Sequence, residues 1–185
     1  MINEVINEAE GKMKKAIEVL RNDLSSLRAG RATPALLDKI KVDYYGVPTP
    51  INQLANVSVP ELRSLVIQPW DKSVISAVEK AILKSDLGLT PNNDGSVIRL
   101  NIPQLTQDRR KELVKVVKKK AEEGRVAIRN IRRDCNEHLK DIEKKHEVSE
   151  DEFKRSQEEA QKLTDKYIKE VEQVLEHKEQ EIMEV

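Results

Sequence analysis

Apolar residues recur at Ile2, Ile6, Ala9, Met13, Ala16, Ile17, Leu20, Leu24 and Leu27, mostly in steps of three and four. That period puts them on one stripe of a single long helix over residues 2–28. Gly11 is the only breaker within it, costing about 1 kcal/mol relative to alanine. A second stripe runs through Leu113, Val117, Ala121, Gly124, Ile128, Ile131, Cys135, Leu139 and Ile142. It predicts a helix of about 40 residues, roughly 60 Å long, opening after Thr106 as N-cap. Gly124 lies on the buried stripe, where its missing side chain is expected to let a neighbouring helix approach closely. A break is expected at His146–Val148. Ser149-Glu150-Asp151-Glu152 then reads as a capping box, with Ser149 as N-cap and Glu152 reaching back. Phe153, Ala160, Leu163, Tyr167, Val171, Val174 and Ile182 stripe a third helix.

Between the first two helices the rhythm changes. Gly30 and Pro34 punctuate the chain, and Ile40, Val42 and Tyr44 alternate with Lys41, Asp43 and Tyr45, as in a strand. Gly46–Pro50, with a glycine and two prolines, reads as a turn. Ala55–Val59 and Ser64–Gln68 are strand-like runs bounded by Pro60 and Pro69. Asp71 is expected to cap a helix over Lys72–Lys84 whose face is Val74, Ile75, Val78, Ala81 and Ile82. Pro91-Asn92-Asn93-Asp94-Gly95 is a turn, and Val97–Ile102 a last strand.

Three amphipathic helices of one spacing cannot bury their stripes separately, so an elongated antiparallel three-helix bundle is expected. The fold class is α+β: residues 1–30 and 106–185 form the discontinuous bundle, and residues 31–105 an inserted small β/α/β domain. Its linkers, near 30–34 and 102–106, are expected to lie side by side. Two short connections permit a hinge while forbidding free tumbling, with Gly30, Arg31, Pro103, Gln104 and Leu105 as the hinge residues.

Charge sharpens this picture. Thirty-three basic residues balance thirty-three acidic ones across the 185-residue chain, and aromatics make up only 3%, which suits long solvent-bathed helices. The balance conceals two blocks. Residues 109–133 hold eleven basic side chains against Glu112, Glu122 and Glu123, whereas residues 134–185 hold seventeen acidic against nine basic. Such asymmetry suggests a polyanion-facing surface beside a solvating one. Lys111, Lys115, Lys118, Arg125, Arg129 and Arg132 share one helix face, with Glu122 in the gap. Arginine forks suit phosphates, and a cationic stripe gains affinity by releasing counterions from nucleic acid. The competing reading is an ordinary solvated face, although few acids stand four residues away to pair with it. Arg28 and Arg31 flank Gly30; each contacts phosphate or caps helix carbonyls.

Catalytic signals are weak. His138, His146 and His177 have no metal-ligand spacing, and no phosphate loop or nucleophile elbow occurs. Cys135, alone and on an apolar stripe, reads as a buried inert thiol. Trp70 is expected to pack in the core of the insert. No apolar run approaches the roughly 20 residues of a membrane span. The N-terminal residues lack a secretion signal, so a cytoplasmic, monomeric protein without cofactor or metal is expected. Two other classes remain at this point: a helical adaptor for an acidic protein surface, and a hydrolase using carboxylates of the insert.

Several ordered segments carry a resemblance that spans the chain. They are Leu27-Arg28-Ala29-Gly30-Arg31-Ala32-Thr33-Pro34, Val42-Asp43-Tyr44-Tyr45-Gly46, Pro69-Trp70-Asp71-Lys72, Glu79-Lys80-Ala81-Ile82, Ser85-Asp86-Leu87-Gly88-Leu89, Leu105-Thr106, Arg109-Arg110-Lys111, Arg129-Asn130-Ile131-Arg132-Arg133-Asp134 and Ser149-Glu150-Asp151-Glu152. Together they resemble the bacterial ribosome recycling factors, with Gly124 standing where an alanine is more usual. The resemblance implies an L-shaped, tRNA-sized protein with a double hinge. It implies binding to the large ribosomal subunit after termination, and splitting of the ribosome together with elongation factor G and its GTP hydrolysis. It implies that the protein is not itself an enzyme. It also implies rRNA contacts at Arg129, Arg132 and Arg133, supported by Arg28, Arg31 and Arg110.

Overall fold

The computed structural model describes residues 1–27 and 30–184. The fold is α+β. Its elements in chain order are α1 (Ile2–Ser25), β1 (Lys41–Tyr44), β2 (Val47–Pro50), β3 (Ala55–Glu61), β4 (Ser64–Pro69), α2 (Ile75–Lys84), β5 (Asn92–Asn93), β6 (Ile98–Asn101), α3 (Gln107–Lys144) and α4 (Glu150–Met183), with short 3₁₀ turns at Pro34–Leu37, Ile51–Gln53 and Lys72–Val74. Two compact units result: Met1–Arg28 with Thr106–Val185, and Ala29–Leu105.

In the first unit α1, α3 and α4 pack against one another in every pairing. Tyr167 donates to Glu10 Oε1 at 3.3 Å, and Lys178 Nζ to the Leu27 carbonyl at 3.2 Å, so α1 and α4 run parallel. Arg132 meets Gln161 and Arg125 meets Glu172, so α3 runs antiparallel to α4. The interior is the expected set of stripes. One end is built from Val5, Ile6, Ala9, Cys135, Leu139, Ile142 and Ala160. Three polar residues of α4 also sit inside. Ser156 and Thr164 turn their hydroxyls onto their own helix, donating to Phe153 O at 2.6 Å and Ala160 O at 2.8 Å. Lys178 satisfies the Leu27 carbonyl and lies 3.6 Å from Glu181. Buried polar groups need such partners, since an unpaired one costs about 1–3 kcal/mol.

Local chemistry sets the helix ends. Thr106 Oγ1 accepts from Arg109 N at 3.1 Å, and Ser149 Oγ from Glu152 N at 3.2 Å. The Ser149 half of the expected capping box is therefore formed. Past the end of α3, His146 adopts φ +57 and its N–H bonds Glu143 O, which stops the helix where the break was expected. Gly124 departs from expectation. A Cβ there would lie 3.4 Å from Leu20 Cδ2 and 3.8 Å from Val171 Cγ2, which is ordinary contact. The neighbouring helices approach no more closely than alanine allows.

The second unit has a two-stranded antiparallel sheet, β1–β2, and a four-stranded antiparallel sheet in the order β3-β4-β6-β5. Leu65, Ile67, Ile98 and Leu100 from the larger sheet share one core with Val42, Ile51, Val78 and Ile82. Two strands lie where turns were expected. The turn at Gly46–Pro50 is confined to Tyr45-Gly46, and β2 follows at once, pairing Tyr44 with Val47 and Asp43 with Pro48. Its prolines survive because Pro48 and Pro50 occupy every second position, where the missing N–H faces away from β1. Asn92–Asn93 likewise joins β6 instead of staying wholly in a turn. Asp71 accepts from Ser73 N at 2.9 Å, as expected of a cap, but the first turn after it is 3₁₀.

Trp70 corrects the sequence reading, being 69% exposed. Leu65, Ile67 and Pro69 alternate inward along β4, so the next position in that phase points outward. At the base of the unit, Ala32 N donates to Leu62 O and Ile102 N to Arg63 O, both at 2.8 Å. The β3–β4 turn thus fastens both chain ends of the unit. Gly30 lies just outside this clasp at φ +75, and a Cβ on it would come within 3.1 Å of Leu105 Cγ.

Candidate nucleic-acid interface

The helical period of α3 places Lys111, Lys115, Lys118 and Arg129 on one exposed face, flanked by Arg125 and Arg132 on the side toward α4. The distance from Lys111 to Arg129 along the axis is about 27 Å at 1.5 Å per residue. Each predicted cation has a different fate there.

Arg129 is 48% exposed and stands 3.5 Å from Glu122. Arg133 is 65% exposed, with only the neighbouring Asp134 at 3.8 Å. Arg132 is half-buried against α4 and donates to Gln161 Oε1 at 3.2 Å, while Gln161 donates in turn to Asp165 at 2.9 Å. That chain fixes the guanidinium with a neutral partner, so its charge remains for a ligand. Within one turn of α3, three arginines thus stand together.

Arg125 is not available in the same way. Its fork spans the helix pair: Nη1 donates to Glu122 Oε2 at 2.8 Å, Nη2 to Glu172 Oε2 at 3.1 Å, and Nε to Glu172 Oε1. The two carboxylates hold the Arg125 pKa above its ordinary value, the Glu172 bond being the largest cause. Arg125 in turn holds Glu172 below the usual carboxylate range. The acids missing at four-residue spacing are supplied at three residues and across the interface, and the stripe divides in two. Lys111, Lys115 and Lys118 form one cationic patch, and Arg129, Arg132 and Arg133 the other.

Arg110 stands apart from the exposed cations. It is 3% exposed, and its Nη1 donates to Ile182 O at 3.2 Å and Glu184 O at 3.0 Å. Charge at the negative end of the α4 dipole is favourable, and these carbonyls have no partner within their helix. Arg110 therefore caps α4. Arg31 belongs to the other unit and is half-buried. Arg28 lies outside the described residues.

The remaining titratable candidates form no second site. Burial, with Glu8 nearby, pushes the Cys135 thiol up, away from the reactive thiolate. The three histidines are exposed. Among the described residues no group of three His, Cys, Asp or Glu side chains could hold a metal ion, and no helix is long and apolar enough to cross a membrane.

These features define a class: a helical bundle offering a cationic flank to a polyanion, with a small α/β unit inserted between its first two helices. A family model described as Ribosome recycling factor matches residues 20–183, and the chain belongs to that family of translation factors. The chain is similar to the ribosome-recycling factor of Heliobacterium modesticaldum, with 70% identity over 185 residues covering 100% of both chains. It is 69% identical, over the same span, to that of Pelotomaculum thermopropionicum. A solved solution structure of the ribosome recycling factor matches at 48% identity with TM-score 0.77, over 100% of this chain and 98% of that one. Another places the T. thermophilus ribosome recycling factor and the E. coli elongation factor G on the E. coli post-termination complex. It matches at 50% identity with TM-score 0.65, over 100% of both chains.

Proposed function

We propose that this chain binds the large ribosomal subunit after termination and, with elongation factor G and GTP, splits the post-termination complex into subunits. The observation that carries the reading is the Arg129-Arg132-Arg133 cluster, two of its members exposed and Arg132 half-buried, standing in a chain that matches its family end to end. These guanidiniums contact rRNA phosphates, for which their planar donor forks are suited. Lys111, Lys115 and Lys118 add a second, less directional contact on the same face. Arg31, in the linker, and Arg28 supply further rRNA contacts.

The chain acts as a mechanical part and carries no catalysis of its own; GTP hydrolysis belongs to the translocase. A bundle of three long packed helices transmits force along its axis. Gly30 and Arg31 on one strand, with Pro103, Gln104 and Leu105 on the other, serve as the hinge. The bonds at Ala32 and Ile102 support this, because they fix where the ordered unit begins and leave those residues beyond it. The protein works as a cytoplasmic monomer without cofactor or metal. The reading is tested by light scattering of post-termination ribosomes mixed with the protein, elongation factor G and GTP. A rapid fall in scattering that requires all three components supports it. No fall at any protein concentration overturns it.

A further inference from the structure

Arg125 and Arg132 stand seven residues apart on α3, and Glu172 and Gln161 eleven apart on α4. Both spacings are close to whole numbers of helical turns, so one face of α3 meets one face of α4 twice. The two meetings have opposite electrostatic results. Glu172 receives Arg125 on Nε and Nη2 while Glu122 receives Nη1, so every nitrogen of that fork is engaged and its charge is opposed. Gln161 receives only Nη1 of Arg132, at 3.2 Å, through a neutral carbonyl oxygen. Arg132 keeps its charge and the other N–H donors of its fork.

Asp165 decides which way round the Gln161 amide sits. A carboxylate only accepts and a guanidinium only donates, so a side chain between them must accept at one end and donate at the other. Gln161 does both: its Nε2 donates to Asp165 Oδ1 at 2.9 Å, one turn along α4, and its Oε1 accepts from Arg132. Turning the amide over would set donor against donor at Arg132 and acceptor against acceptor at Asp165. The guanidinium is thereby held against α4 without being neutralised. A long side chain already held in place loses less rotamer freedom when it takes a ligand.

We infer that Gln161, oriented by Asp165, is a positioning residue that presets Arg132 for an rRNA phosphate. The inference rests on the rRNA contact proposed above. Acceptance without charge is what the position requires, because a carboxylate there would copy the Arg125–Glu172 pair. Gln161→Glu and Gln161→Met test this, each alone and with Arg132→Ala, by co-sedimentation with large subunits across a salt series. The position is exposed, and helical circular dichroism checks that each variant is folded. Gln161→Glu is expected to weaken binding about fivefold at low salt, the factor an exposed ion pair supplies. It is also expected to flatten the slope of log affinity against log salt by about 0.7–0.9, one phosphate contact. Gln161→Met is expected to weaken binding about threefold with the slope unchanged, because the charge stays while the preset orientation is lost. With Arg132→Ala in place, neither substitution is expected to change affinity or slope. A Gln161→Glu loss that persists there is repulsion of the phosphate by the new charge and overturns the inference, as does wild-type binding by Gln161→Met. Arg132→Ala binding like the wild type is a different failure, since it removes the rRNA contact on which the inference rests.

Discussion

Replacing Arg110 with methionine keeps the volume of the side chain and removes its charge and donors. The bonds lost include those at 3.2 Å to Ile182 O and 3.0 Å to Glu184 O. Bonds to a charged group contribute about 1.5–3 kcal/mol each, but Glu184 lies at an exposed helix end, where water replaces part of the loss. The favourable dipole contribution of about 0.3–1 kcal/mol goes as well. The net expectation is about 2–3 kcal/mol of destabilisation. At about 4–8 °C per kcal/mol for a unit of this size, the melting temperature falls by roughly 8–24 °C. Thermal unfolding followed by helical circular dichroism measures it. Affinity for the large subunit, measured on folded protein well below the transition, is expected to stay within twofold of wild type. A variant with unchanged melting temperature and several-fold weaker binding would refute the capping role and return Arg110 to the rRNA face.

Gly124→Ala is expected to stabilise the protein by about 1 kcal/mol, the propensity difference between the two residues in a helix interior, because its methyl group meets Leu20 and Val171 at ordinary contact distance. Equilibrium denaturation in urea reads the change, and a loss of stability would show that the helices are closer than 3.4 Å to that methyl. Glu172→Gln is expected to cost no more than about 1 kcal/mol at neutral pH, since the ion pair is half-exposed. The Glu172 pKa is depressed in the folded state, so its stabilisation is present above the unfolded value near 4.3 and lost as pH falls through the folded value. Wild type and variant should therefore differ at pH 7 and converge once the pH has fallen below the folded Glu172 value; a difference persisting in strong acid would exclude the ion pair as its source.

The bundle was legible in the sequence because each stripe repeats over many turns, so one wrong position changes little. What escaped were polar residues on the stripe itself. Ser156, Thr164 and Lys178 fall at helical spacing from Ala160, Tyr167 and Val174, and spacing alone assigns them inward once their hydroxyls or ammonium find carbonyls. The insert was harder. Its strands are two to seven residues long, and prolines in β2 masked an edge strand whose N–H groups face alternately inward and outward. Trp70 was misplaced by residue type, although the alternation of Leu65, Ile67 and Pro69 carried the right answer. At the cationic face, position on α3 was readable from one helix. Which charges are already spent was not, because Glu172, Gln161 and the α4 carbonyls reach it from a helix more than 25 residues away in sequence.

The anchoring claim meets its most direct test in the salt dependence of large-subunit binding. Each arginine–phosphate contact contributes about 0.7–0.9 to the slope of log affinity against log salt. Converting Arg129, Arg132 and Arg133 together to alanine should flatten that slope by about 2–3 and weaken binding most at low salt. Converting Arg125, whose charge Glu122 and Glu172 already occupy, should leave the slope nearly unchanged. A triple variant with the wild-type slope would contradict the account, because the arginine cluster would then hold no phosphate on the ribosome.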